Sequence, residues 1–144
     1  MKTASQIEGD IYNLLKADPT LCSMISGQVY REGYRPRDSK QEDVIVIFTA
    51  GEYGQIETGV VTINIYVPDI DPYSNGVMVK DGLRTSELEQ VAAMWVQSLT
   101  ADRTNYKFRL QQTIYTEAEP DIHQHFIVVS LHYRYYDKGN SEAE

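Results

Sequence analysis

The chain has 144 residues, a formal net charge of -8 and a sequence pI near 4.8. That length fits one domain, large enough to bury roughly two thirds of its unfolded surface without help from metals or disulfides. The acidic balance argues against a general nucleic-acid or anionic-membrane binder, since both partners are themselves negative. Cys22 is the one cysteine, so no intramolecular disulfide can form, and its place between Leu21 and Met24 suits a small buried apolar residue.

The first residues carry an early lysine and an interspersed polar pattern rather than an apolar signal core, and no stretch has the apolar length that crosses a bilayer. The expectation is a cytoplasmic protein. Ile7, Ile11, Leu14 and Leu15 recur at helical spacing, with Thr3 or Ser5 as cap and Ser5–Glu8 as a capping-box pair. Asp18-Pro19 ends this helix, because the residue before proline is pushed out of the helical region. Leu21 to Ile25 reads as a short apolar turn or helical end, and Gln28 to Glu32 as a short strand.

Gly33 to Asp43 is polar, charged and interrupted by proline, which predicts an exposed loop. Within it Arg35, Arg37 and Lys40, with Arg31 just before, make one candidate for a local basic patch. Val44 to Phe48 is a continuous β-branched run expected to be buried on both faces. Glu57 to Val67 alternates, with Val61, Ile63, Ile65 and Val67 on one face, and predicts a half-buried strand paired in a hairpin with the preceding one. Pro68 to Gly82 is a long loop of turn residues, a type that is often functional.

Leu88, Val91, Ala92, Trp95, Val96 and Leu99 form the apolar stripe of a second helix, with Ser86–Glu89 as a capping box. Two strands close the chain. Tyr106 to Thr116 places Phe108, Leu110 and Ile114 on one face; His125 to Tyr136 does the same for Ile127, Val129, Leu131, Tyr133 and Tyr135. The link Glu117 to Asp121 predicts a hairpin. The fold expected is α+β, a mainly antiparallel sheet with two amphipathic helices on one face in the order α-β-β-β-α-β-β. Residues 1–138 make a single domain and 139–144 a polar tail.

The chemistry is sparse. No GxSxG, Walker A, GxGxxG or HExxH motif is present, so no catalytic residue is assigned and a non-enzyme is expected, with no cofactor and no metal. Asp121, His123 and His125 would share one side of an extended strand and could serve a metal-dependent enzyme, the alternative reading. Asp69, Asp71, Ser74 and Asn75 before Gly76 match only part of a calcium loop, with Tyr73 at a ligand position and no closing glutamate. Eleven tyrosines against three phenylalanines carry more information. Tyr133, Tyr135 and Tyr136 beside Arg134, and Tyr30 and Tyr34 around Arg31, are the residue types that anchor protein interfaces, and equally the types that strands favour on an ordinary aromatic sheet face. A third reading is a partner-binding domain of the toxin-immunity kind, its acidic surface mimicking nucleic acid.

Several segments together resemble tailed-bacteriophage tail terminator or tail-completion (head-tail joining) proteins. They are the capped N-terminal helix followed by "ADPTL", the "QVY" strand, "VIVIF", "TGVVTINIYVPD", the "LEQVAAMWVQSL" helix and the closing "HFIVVSLHYRYY". The resemblance spans roughly Thr3 to Asp137 and is one of element order and length. It implies a virion or prophage structural protein that forms a ring, commonly a hexamer, at the head-tail junction. The implied partners are further copies of the chain and other tail or neck proteins, with no sequence-specific nucleic acid and no membrane. The implied contact residues are Tyr34, Arg35 and Arg37 in one loop, Asp69, Asp71 and Tyr73 in the other, and Tyr133, Arg134 and Tyr135 at the last strand. An acidic lumen would let DNA slide through without sticking.

Overall fold

A computed structural model describes residues 1–99 and 105–136. The elements are α1 (Ala4–Lys16), α2 (Pro19–Met24), β1 (Val29–Arg31), β2 (Val44–Glu52), β3 (Ile56–Pro68), α3 (Gly82–Ser98), β4 (Tyr106–Leu110), β5 (Tyr115–Glu119), a 3-10 turn (Pro120–Ile122) and β6 (Gln124–Tyr136). The class is α+β, with three helices and a mixed, mostly antiparallel six-stranded sheet. The proposed tail, 139–144, lies outside the described residues.

The sheet order is β1-β2-β3-β6-β4, with β5 also paired to β6. β1 runs parallel to β2, a departure from the all-hairpin expectation. Its cause is the segment between them, which carries the chain back to the end of the sheet from which β1 started. The expected strand from Tyr106 to Thr116 is two strands, broken between Leu110 and Tyr115. Both lie end to end along the 13-residue β6, β4 against its second half and β5 against its first.

Cross-strand register explains the core. Val44, Ile65 and Ile127 are aligned, as are Val46, Ile63 and Val129, and Phe48, Val61 and Leu131. These side chains share one face and join Ile7, Ile11 and Leu15 of α1, Leu21 of α2, and Leu88, Ala92 and Trp95 of α3 in one cluster. Val44 and Val46 are fully buried while Ile45 and Ile47, on the other face, are half-buried, so β2 is less enclosed than its apolar run predicts. Cys22 is half-buried, its Sγ 3.4 Å from the Leu15 carbonyl oxygen.

α1 starts at one of its two expected caps, and α3 starts earlier than expected. Thr3 caps α1, its Oγ1 accepting from Gln6 N while Gln6 Oε1 accepts from Thr3 N at 2.9 Å. The Ser5–Glu8 box does not form, because Glu8 Oε1 accepts from Arg31 Nε at 3.0 Å. Asp81, not Ser86, caps α3 through Arg84 N. Glu89, the other half of the expected box, accepts from Thr116 Oγ1 instead.

Candidate assembly surfaces

The segment from Asp69 to Asp81 is long, yet it is built as a closed loop. Asp69 N donates to His123 O, and His125 Nδ1 lies 2.6 Å from Asp69 Oδ1, which fixes the base against β6. Ile70 and Val79 exchange both backbone hydrogen bonds, at 2.9 and 2.8 Å. Asp71 accepts from Asn75 N and Gly76 N, and Asn75 Oδ1 accepts from Val77 N. Ser74 and Gly76 take positive φ to close the tip. On this frame Ile70, Tyr73, Val77, Met78 and Val79 stand in solvent, and Leu83 joins them from the first turn of α3. Tyr73 is 77% exposed and Leu83 76%. A backbone this well bonded does not need its apolar side chains outside, and exposed apolar patches mark sites of association.

The other expected arm, Gly33 to Asp43, is different from its reading as an exposed loop. Its end folds inward, with Asp43 1% exposed and Glu42 buried. Arg35 donates through Nε to Asp43 Oδ2 at 2.9 Å and through Nη2 to Gln124 Oε1 at 2.9 Å. Its guanidinium stacks 4.2 Å from the centroid of Tyr66. Ser39 Oγ and Gln28 N also donate to Asp43. Arg35 is thus buried in the fold and not offered to a partner. Glu42 takes two bonds from Arg84, at 2.6 and 2.8 Å, and Arg84 also reaches the Met24 carbonyl oxygen, which ties α3 to α2. Burial of Glu42 is stabilised by this fork, and the same carboxylate holds the Arg84 guanidinium firmly charged. With Arg31 bound to Glu8 and Arg35 to Asp43, the basic patch reduces to the exposed Arg37 and Lys40.

Of the remaining contact residues expected from sequence, Tyr34 is 74% exposed and Arg37 is exposed. Asp69 and Asp71 are half-buried and hold the loop. Tyr133 is 1% exposed and faces the core, a correction to its reading as a contact residue; burial pushes its hydroxyl pKa up. Its ring lies beneath Gly51 and Gly59, where a side chain on either glycine would collide with it. Tyr135 is half-buried against Tyr106, with the Lys2 ammonium 4.7 Å from its ring centroid. These residues, with Asp10, Asn13, Leu14 and Asn105, line a cleft of about 320 Å³. Within it Tyr106 donates to Asp10 Oδ2 at 2.6 Å, and burial first, then this bond, raises the Tyr106 pKa far above its ordinary value. Arg134 is exposed on the outer sheet face, over Tyr136.

The extended geometry on which the metal alternative rested does not form. Asp121 lies in a 3-10 turn and His123 has left-handed φ, so the extended period-two spacing does not exist there. His125 is engaged with Asp69 on the core-facing side of β6. Among the described residues no group of three His, Cys, Asp or Glu side chains is placed to hold a metal ion. No described helix is long and apolar enough to cross a membrane.

The signal that sequence reading missed is apolar exposure in the 69–81 loop. Ile70, Val77, Met78 and Val79 are apolar residues set in a polar loop, which is the trace of this surface in the sequence.

No family model matches the chain, and a search of curated proteins returns no match. One solved structure, whose name describes no activity, is similar over 91% of this chain and 91% of its own at 18% identity, with a TM-score of 0.40. A likeness of that size carries no argument about fold or function.

Proposed function

We propose that the chain is a structural subunit that works by assembling with other protein subunits, as the tail terminator proteins it resembles do at the head-tail junction of a phage. The observation that carries this reading is the hydrogen-bonded loop from Asp69 to Asp81, which holds Ile70, Tyr73, Val77, Met78 and Val79 in solvent beside Leu83. A rigid apolar arm loses little conformational freedom on docking, so more of its burial appears as affinity. α1 and α3 both pack on the core face of the sheet, and the opposite face presents the half-buried Ile45, Ile47, Thr62 and His132. In this reading the partners are copies of the chain and other tail or neck proteins, the site of action is the virion, and no catalysis is involved.

Electron microscopy of the purified protein at high concentration, alone and with short tail tubes, tests it. Rings of uniform diameter, or caps on tube ends, are the expected result. Replacing Tyr73, Val77 and Leu83 together by serine abolishes them while leaving the thermal melt in place. A protein that forms no ring and leaves tube ends bare refutes the reading.

A further inference from the structure

On the side of β6 away from β3, the sheet ends in β4 and β5, placed end to end. Their outward side chains are segregated by charge. Lys107 lies opposite Arg134 and Arg109 opposite His132, so three cationic side chains and an imidazole occupy the β4 half. Glu117 lies opposite Phe126 and Glu119 opposite Gln124, so the β5 half is acidic. Lys107, Arg109 and Glu117 are exposed. Among the described residues neither Lys107, Arg109, Glu117 nor Glu119 enters an ion pair. In a chain of net charge -8, basic groups on paired strands with no acid beside them are a cost that a partner would relieve.

The register supplies the partner's shape. Lys107 stands at the level of residue 134 and Glu119 at that of 124, five residues to either side of Val129. Arg109 stands at 132 and Glu117 at 126, three to either side of the same residue. The basic and acidic halves are therefore mirror-spaced about one point. β4 and β5 also run in the same direction, since both are antiparallel to β6.

We infer that this edge is a two-fold docking surface for a second copy of the chain, β4 of each copy pairing antiparallel with β5 of the other. Rotation by 180° about an axis through the sheet at the level of Val129 reverses strand direction, as antiparallel pairing requires. The same rotation keeps outward side chains on one face. Lys107 then meets Glu119 of the second copy and Arg109 meets Glu117, each pair occurring twice. Pairing β4 with β4, or β5 with β5, sets like charges opposite and is disfavoured. The contact closes on itself, so it makes a dimer with a continuous sheet and no ring. It stands independently of the tail-terminator reading, in which further contacts through the 69–81 loop would join such units.

Charge reversal tests it. Analytical ultracentrifugation of the full chain over a concentration series gives a monomer–dimer equilibrium that weakens with salt. The double variants K107E/R109E and E117K/E119K each weaken dimerisation by roughly a hundredfold, since four attractive pairs become repulsive. Mixed together, the two variants form a heterodimer, because every facing pair is again of opposite sign. A wild type that stays monomeric at every concentration overturns the inference, even if the basic half then captures a nucleic-acid duplex. A dimer that survives both reversals, or two variants that refuse to associate with each other, overturns it equally. Circular dichroism of each variant confirms that the comparison is between folded proteins.

Discussion

Arg35→Ala is the substitution that best separates a fold residue from a contact residue. The Arg35 side chain is 8% exposed and that of Asp43 2%. Removing the guanidinium leaves a buried carboxylate without its cation, a loss that ordinarily costs about 3–5 kcal/mol. Asp43 keeps two donors, Gln28 N and Ser39 Oγ, which places the cost at the lower end, about 3 kcal/mol. Losing the stack on Tyr66 adds about 1 kcal/mol. The expected total of about 4 kcal/mol is a large fraction of a domain's stability and lowers the melting temperature by roughly 12 °C. Urea unfolding followed by tryptophan fluorescence reads this directly, since Trp95 is buried in the core. Arg37→Ala, at an exposed neighbour, is the control and should change stability by less than about 0.5 kcal/mol. If Arg35→Ala unfolds within about 1 kcal/mol of wild type, the buried network is not what holds the 33–43 loop, and Arg35 returns to the set of contact residues.

Gly59→Ala should destabilise by about 3 kcal/mol or prevent folding, because a Cβ would sit 2.7 Å from both Gly51 Cα and Tyr133 Cε2 and press on the Ala50 carbonyl; a midpoint near wild type in denaturant would show that β2 and β3 can separate there. For His132, burial first and then Arg109 and Arg134 hold the imidazole pKa below its ordinary value. The unfolded chain therefore binds the proton first, and stability contributed by this group is present above about pH 6.5 and falls as pH drops through that value. Replacing His132 by Gln should flatten this part of the stability profile between neutral and mildly acidic pH, and melts at both pH values with an unchanged slope would assign the effect to other groups.

Much of the local pattern of this chain was legible in its sequence: the two amphipathic helices, the alternation in β3, the long inward row of β6 and the hairpin into it follow from apolar periodicity, which each segment carries within itself. The two expected capping pairs, the start of α3 and the break in the strand after Leu110 were not, because they depend on what lies elsewhere in the fold. Ser5–Glu8 and Ser86–Glu89 are sound capping pairs in isolation, but Glu8 and Glu89 meet Arg31 and Thr116 in the fold. Tyr133 and Arg35 look like surface anchors in a list of residue types, and only tertiary packing shows that one lies under two glycines and the other neutralises a buried aspartate. The charge pattern along β4 and β5 belongs to the same class. Lys107, Arg109, Glu117 and Glu119 are unremarkable in sequence, and their symmetry appears only when both strands are measured against β6. Periodicity is a property of neighbours along the chain, while burial, pairing and register are properties of neighbours in space, and the surfaces on which this protein would assemble are of the second kind.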